Sequence, residues 1–119
     1  MKSFRELKVW EKSHQFVLEL YNATKRFPGE ERFGLTSQIR RAAVSVPSNI
    51  AEGCGRDGDN EFARFLTIAQ GSASEVEYQL LLSKDLGYLD TESWNRLNEQ
   101  ITEIKRMTAG LLRTIRKKP

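Results

Sequence analysis

The sequence predicts an all-α protein: an antiparallel up-down-up-down four-helix bundle whose second helix is kinked. Three observations lead there. Four segments, at about residues 6–26, 35–53, 60–86 and 91–116, repeat apolar residues at steps of three and four, the spacing of one helix face. Short connectors carrying Pro28-Gly29, Gly53 to Gly58, and Gly87 separate them. No stretch alternates apolar and polar residues as a strand would, and there is no internal repeat or low-complexity segment. Long helices with short loops pack most simply as sequential neighbours around one core. The 119 residues are enough for one compact domain and too few for two of ordinary size. Such a chain can bury a core without disulfides or metal.

The first helix is expected from about Glu6 to Arg26, with Ser3 and Glu6 at capping-box spacing before it. It carries two apolar stripes. One is Trp10, His14, Val17, Leu18 and Tyr21; the other is Val9, Phe16, Leu20, Ala23 and Phe27. Two stripes imply burial on two sides, more than one chain's core asks of a surface helix, and this hints at a subunit interface. Arg26-Phe27-Pro28-Gly29 ends the helix, because the residue before proline avoids helical geometry and glycine favours a turn.

The second helix turns Leu35, Ile39, Ala42/Ala43, Val46 and Ile50 inward and groups Gln38, Arg41, Ser45, Ser48 and Glu52 on the other side. Pro47 sits inside it. A proline there removes one backbone hydrogen bond and crowds the preceding turn, at a typical cost of ~3 kcal/mol, which predicts a bend near Val46-Pro47. Ser45 or Ser48 is placed to help satisfy the carbonyl of Ala43, and Asn49 to bond backbone near the bend. The alternative is a break into two shorter helices.

For the third helix, Asp59 is the expected N-cap, Gly87 the C-terminal cap, and Phe62, Phe65/Leu66, Ala69, Ala73, Val76 and Leu80 the inner stripe. Its small residues Ala69 to Ser74 allow close approach of another helix, expected at Ala42/Ala43, which would justify Gly71 in mid-helix. Asp90 caps the fourth helix, with Leu89 and Trp94 at hydrophobic-staple spacing. Trp94, Leu97, Ile101, Ile104, Thr108, Leu111 and Ile115 then form the cleanest seam in the chain.

Cys54 is the only cysteine, which excludes an internal disulfide and any cysteine cluster for zinc or iron–sulfur. No apolar run approaches a membrane span, and the opening Met-Lys-Ser-Phe-Arg-Glu lacks a signal-peptide apolar region, so a cytoplasmic protein without membrane contact is expected. Net charge is only +3, but the distribution is uneven. Lys105 to Lys118 holds six basic residues and no acid, whereas Glu52 to Glu99 holds ten acids against four bases. Such asymmetry suggests an anionic partner for the basic part, against a solvated basic tail as the plainer alternative.

Several residues are recognisable together. Gln38-Ile-Arg-Arg-Ala-Ala-Val-Ser-Val-Pro-Ser-Asn-Ile-Ala-Glu-Gly53, then Phe65-Leu-Thr-Ile-Ala-Gln-Gly-Ser72 with Glu75, resemble the bacterial four helix bundle protein family encoded in intervening sequences of 23S ribosomal RNA genes. Leu7-Lys-Val-Trp10 and Asp85-Leu-Gly-Tyr-Leu89 fit the same resemblance, which therefore covers nearly the whole chain. That family is similar to the accessory variability protein of diversity-generating retroelements, a basic bundle assembled as a ring of five that binds nucleic acid and a reverse transcriptase. The resemblance implies a homopentamer, which would account for the two stripes of the first helix. It also implies RNA or DNA as a partner, with a reverse transcriptase beside it.

On this reading the nucleic-acid-binding candidates are Arg41, Lys105, Arg106, Arg113, Arg116 and Lys117, as phosphate-binding cations. Arg40, Pro47, Asn49, Glu52, Gly71, Ser72 and Glu75 are the structural or interface candidates, with Arg40 expected to pair with Glu52 or Glu75 across a helix or subunit contact. Glu11-Lys-Ser-His14 has the Glu-x-x-His spacing of di-iron bundles, but such sites need two of these motifs, and His14 is the only histidine. A partly buried, hydrogen-bonded His14 is the expectation. Ser45, Ser48, Ser72 and Cys54 have no base at hand, and the Gly53–Gly58 loop lacks the lysine and spacing of a phosphate-binding loop. No enzyme and no cofactor are therefore expected. The leading expectation is a nucleic-acid-binding accessory module, the alternative a protein–protein scaffold that touches no nucleic acid.

Overall fold

The computed structural model of the chain describes residues 3–117. Among them are four α-helices and no strand: α1 (Lys8–Thr24), α2 (Leu35–Cys54), α3 (Asp59–Asp85) and α4 (Thr91–Arg116), with short 3-10 turns at Phe4–Glu6 and Gly29–Glu31. Each helix packs on the next and α1 closes on α4, while α1 and α3, and α2 and α4, lie across the core without close backbone contact. The contacts run in opposed order. Arg40 early in α2 reaches Thr24 at the end of α1, Gly53 late in α2 lies against Phe65 early in α3, and Arg116 ending α4 meets Thr67 of α3. Lys12 meets Glu103 and Glu19 meets Arg96 between α1 and α4. The centre is one continuous apolar core in which Phe16, Leu20, Ile39, Ile50, Leu66, Leu80, Leu97, Ile101 and Ile104 are almost wholly buried. Each such burial stabilises the fold by roughly 1.5–3 kcal/mol, so this layer is the main support of the helices.

The sequence-derived boundaries need corrections that have physical causes. Ser3 caps the 3-10 turn, accepting from the Arg5 N–H at 3.2 Å, and Leu7 is extended, so α1 starts at Lys8 rather than Glu6. The turn is folded back by Phe4, whose ring meets Trp10 edge-on at 4.8 Å. Of the two α1 stripes, Val9, Phe16, Leu20 and Phe27 enter the core, whereas His14, Leu18 and Tyr21 are exposed and Trp10 and Val17 half-buried. His14 is thus not a partly buried, hydrogen-bonded residue; it stacks on Trp10 in the open, with ring centroids 5.1 Å apart.

Gly34 precedes α2 and has no side chain to cap it. Glu31 supplies the cap from the preceding turn: one carboxylate oxygen accepts from Leu35 N–H at 3.0 Å and the other from the Tyr88 hydroxyl at 3.0 Å. The Tyr88 ring lies 5.4 Å from that of Phe27, so the α1–α2 and α3–α4 connectors are joined at this point. Helix α2 is unbroken through Pro47, which excludes the two-helix alternative. The Ser45 hydroxyl does not serve Ala43 as expected. It lies 2.8 Å from the Ser72 hydroxyl and accepts from the Asn49 amide, which also donates to the Ser45 carbonyl at 2.8 Å.

Small residues let α2 and α3 approach closely, but the glycine responsible is Gly53. A Cβ there would stand 2.7 Å from the Phe65 Cβ and 3.1 Å from a Phe62 ring carbon. Gly71 is exposed, with open space where its Cβ would be, because one helical step of ~100° turns Ser72 rather than Gly71 toward α2. Asp59 begins α3 instead of capping it: Gly58, at φ +86, takes the cap position and its carbonyl accepts from Phe62 N–H. At the other end Gly87, at φ +83, closes the helix, with Tyr88 N–H bonded to the Ser83 carbonyl. Asp90 caps α4, accepting from Ser93 N–H at 2.7 Å. The α4 seam follows Leu97, Ile101, Ile104, Thr108, Leu112 and Ile115, so Leu112 replaces the expected Leu111, which is half-buried.

Candidate nucleic-acid interface

The end of α4 from Lys105 to Lys117 carries five basic residues and no acid. At ~100° per residue, Arg106, Arg113 and Lys117 fall within about 40° of one another, with Lys105 and Arg116 turned toward α3. At 1.5 Å per residue the stripe from Arg106 to Lys117 extends roughly 16 Å. Arg106, Arg113 and Lys117 are exposed and have no side-chain partner among the described residues. Their guanidinium and ammonium groups are therefore available to an anion without first breaking an ion pair.

The two residues beside the stripe are engaged. Lys105 is half-buried, its ammonium 2.8 Å from a Glu77 carboxylate oxygen of α3. Arg116 donates to the Thr67 hydroxyl at 3.2 Å, and that hydroxyl donates to the Ala63 carbonyl. Gln70 adds a bond from its amide to the Lys105 carbonyl at 2.9 Å, holding α3 against α4 where the stripe begins. Acids border the surface rather than enter it. Asp57, Asp59 and Glu61 line the cleft at the start of α3 together with Arg116. The hydrogen bond from Arg64 holds the Glu61 carboxyl below the usual carboxylate range. Arg64 and Arg56 are thus committed to Glu61 and Glu52 and lie over the Phe65 ring.

The remaining candidates sit elsewhere. Arg41 is exposed on α2, across the core from α4, so one chain does not bring it to the stripe. Within the chain Arg40 pairs with neither Glu52 nor Glu75. Its Nε donates to Thr24 Oγ1 at 2.8 Å, another nitrogen donates to the Tyr21 carbonyl at 3.2 Å, and the guanidinium lies 4.6 Å from the centre of the Tyr21 ring. It therefore satisfies a last-turn carbonyl of α1 at the negative end of that helix dipole. Glu52 pairs with Arg56, Glu75 accepts from Gln79, Pro47 is buried, and Asn49 and Ser72 belong to the α2–α3 hydroxyl network. Lys118 lies outside the described residues. Among the described residues no three of His, Cys, Asp and Glu are grouped to hold a metal ion, and no helix is long and apolar enough to cross a membrane.

Sequence reasoning missed Glu31, Thr67 and Gln70. Only Glu31 left a signal: a helix entered through Gly34 has no capping side chain of its own, and an acid stands three residues earlier.

The family model for 23S rRNA-intervening sequence proteins matches residues 5–110, from the first turn to the penultimate turns of α4. Arg113, Arg116 and Lys117 lie just beyond the matched span. Among solved structures, the chain is similar to a protein of unknown function from the S23 ribosomal protein family of Bacteroides thetaiotaomicron. That likeness has a TM-score of 0.82 at 29% identity and covers 88% of this chain and 95% of that one. No curated protein matches. With most of its length matched, the chain belongs to the 23S rRNA-intervening sequence protein family.

Proposed function

We propose that the protein is a non-enzymatic accessory module that binds RNA or DNA through its phosphate backbone. The observation that carries this reading is the α4 stripe, where Arg106, Arg113 and Lys117 are exposed, without side-chain partners among the described residues, along roughly 16 Å of one helix face. Cations in a row contact phosphates without reading sequence, so the binding is electrostatic and weakens with salt. The opposed order of the interhelical contacts supports an antiparallel up-down-up-down bundle. The working unit is a homopentameric ring in the cytoplasm, in which five copies multiply the positive stripe, and a reverse transcriptase is the candidate protein partner. Anisotropy of a labelled structured RNA across a salt series tests the reading. Wild type binds at low salt and releases log-linearly, and Arg106→Ala/Arg113→Ala/Lys117→Ala binds more weakly with a flatter slope. Absence of binding at low salt sinks the proposal.

One observation favours the scaffold reading instead. Phe33 is 88% exposed in the connector before α2, with the Arg32 guanidinium 5.3 Å from its ring centre, an arrangement suited to a protein partner.

A further inference from the structure

Most of the exposed apolar side chains gather on two helix faces. On α1, Trp10, His14, Leu18, Tyr21 and Lys25 follow steps of four and three on the side away from the core, and Leu18 is 58% exposed. Ile68, Gly71, Glu75 and Tyr78 follow steps of three and four on the outer side of α3, with Leu81 beside them, and Tyr78 is 61% exposed. A helix in a single bundle needs one such stripe; each of these has a second, which its own chain leaves largely open, with the Phe4 ring edge-on to Trp10 and the Arg40 guanidinium over Tyr21.

We propose that the outer seam of α1 in one copy packs against the outer seam of α3 in the next copy of this chain. This rests on the oligomeric reading above and adds the faces that meet. The seams match in length, roughly 22 Å from Trp10 to Lys25 and roughly 20 Å from Ile68 to Leu81 at 1.5 Å per residue. They match in shape. The α1 seam is bulky, while on α3 a Cβ at Gly71 would meet nothing within 4 Å, leaving an opening between Ile68 and Tyr78 for a Leu18 or Tyr21 side chain. A glycine in mid-helix weakens the helix relative to alanine, and close approach of a second helix gives it a use. They match in charge. On the α1 seam Lys25 lacks a side-chain partner among the described residues, whereas the α3 seam carries Glu75 and ends near Asp85. Because α1 and α3 stand diagonally in the bundle, the two seams face different directions. The contact is therefore head-to-tail, using a different face on each copy, which is the kind that closes into rings.

Sedimentation velocity at matched concentrations, with helical circular dichroism as the check on folding, tests the pairing. Leu18→Arg blocks the α1 seam and Gly71→Arg the α3 seam. Each variant alone is expected to sediment as a monomer. Their equimolar mixture is expected to give a 1:1 dimer, since one intact seam of each kind remains. Tyr21→Glu and Tyr78→Glu repeat the experiment on the same seams should either arginine variant fail to fold. Variants that keep the wild-type assembly overturn the assignment of faces and leave the oligomer standing. A mixture that stays monomeric overturns the head-to-tail pairing. A wild type that is itself monomeric removes the oligomeric reading and this inference with it.

Discussion

Gly53→Ala places a methyl group where α2 and α3 are closest, and its effect can be worked from the geometry. The added carbon would stand 2.7 Å from the Phe65 Cβ and 3.1 Å from a Phe62 ring carbon. Ordinary contact begins near 3.4 Å, so the helices must part by about 0.7 Å or Phe65 must shift with its backbone. Ala42, Ala43, Ala69 and Ala73 are buried in the same two helices, so parting them would also loosen the core beyond Gly53. Overpacking of this kind typically costs ~1–3 kcal/mol. Alanine gains at most ~1 kcal/mol of helix propensity, and less here because Gly53 is one residue from the helix end. The net expectation is a loss of about 1 kcal/mol. Gly110→Ala is the control: it lies inside α4 with only the Arg113 guanidinium near, at 3.8 Å, and should gain up to ~1 kcal/mol. Urea unfolding followed by circular dichroism at one chain concentration compares the three proteins, since assembly makes apparent stability concentration-dependent. A Gly53→Ala midpoint at or above wild type would refute the close-approach argument.

Two further outcomes follow from the connectors. Glu31→Ala removes the cap of α2 and the acceptor for Tyr88, and should destabilise by about 1–2 kcal/mol. Tyr88→Phe should cost less, and the double variant less than the sum, as a double-mutant cycle would read. Asp90 titrates below its ordinary value of 3.8, chiefly because the Ser93 backbone N–H bonds its carboxylate. A lowered folded-state value means that stability is present above the unfolded value and is lost as pH falls through the folded one. Wild type should therefore lose more stability than Asp90→Asn between pH about 5 and about 2, measured by urea midpoints, and equal losses would contradict the cap.

The architecture was legible because the core is a matter of periodicity. The inner stripes of α2 and α3, the Asp90 cap and the Gly87 closure could all be read from spacing and residue type. What could not be read depends on rotation and distance. A wheel cannot say whether Gly53 or Gly71 meets a neighbour, since only the helix–helix geometry decides, and the two differ by a clash against open space. Arg40 looked like an ion-pair partner because Glu52 and Glu75 were the acids in view. It bonds to Thr24 and the Tyr21 carbonyl because the end of α1 exposes unsatisfied backbone there. At the candidate site, charge density was visible in sequence, but not which cations are spent. Glu77 engages Lys105 and Thr67 engages Arg116, while Arg106, Arg113 and Lys117 are exposed.

The central claim is that position on α4, not total charge, carries nucleic-acid binding. The direct test is the salt dependence of RNA affinity for two triple variants of equal charge, Arg106→Ala/Arg113→Ala/Lys117→Ala and Arg32→Ala/Arg56→Ala/Arg64→Ala. Each phosphate contact contributes about 0.9 to the slope of log affinity against log salt on a duplex. The account predicts that the first variant flattens the slope by about 2–3 for each chain engaged and that the second leaves it near wild type. Equal losses in both variants, or an unchanged slope in the first, would contradict it.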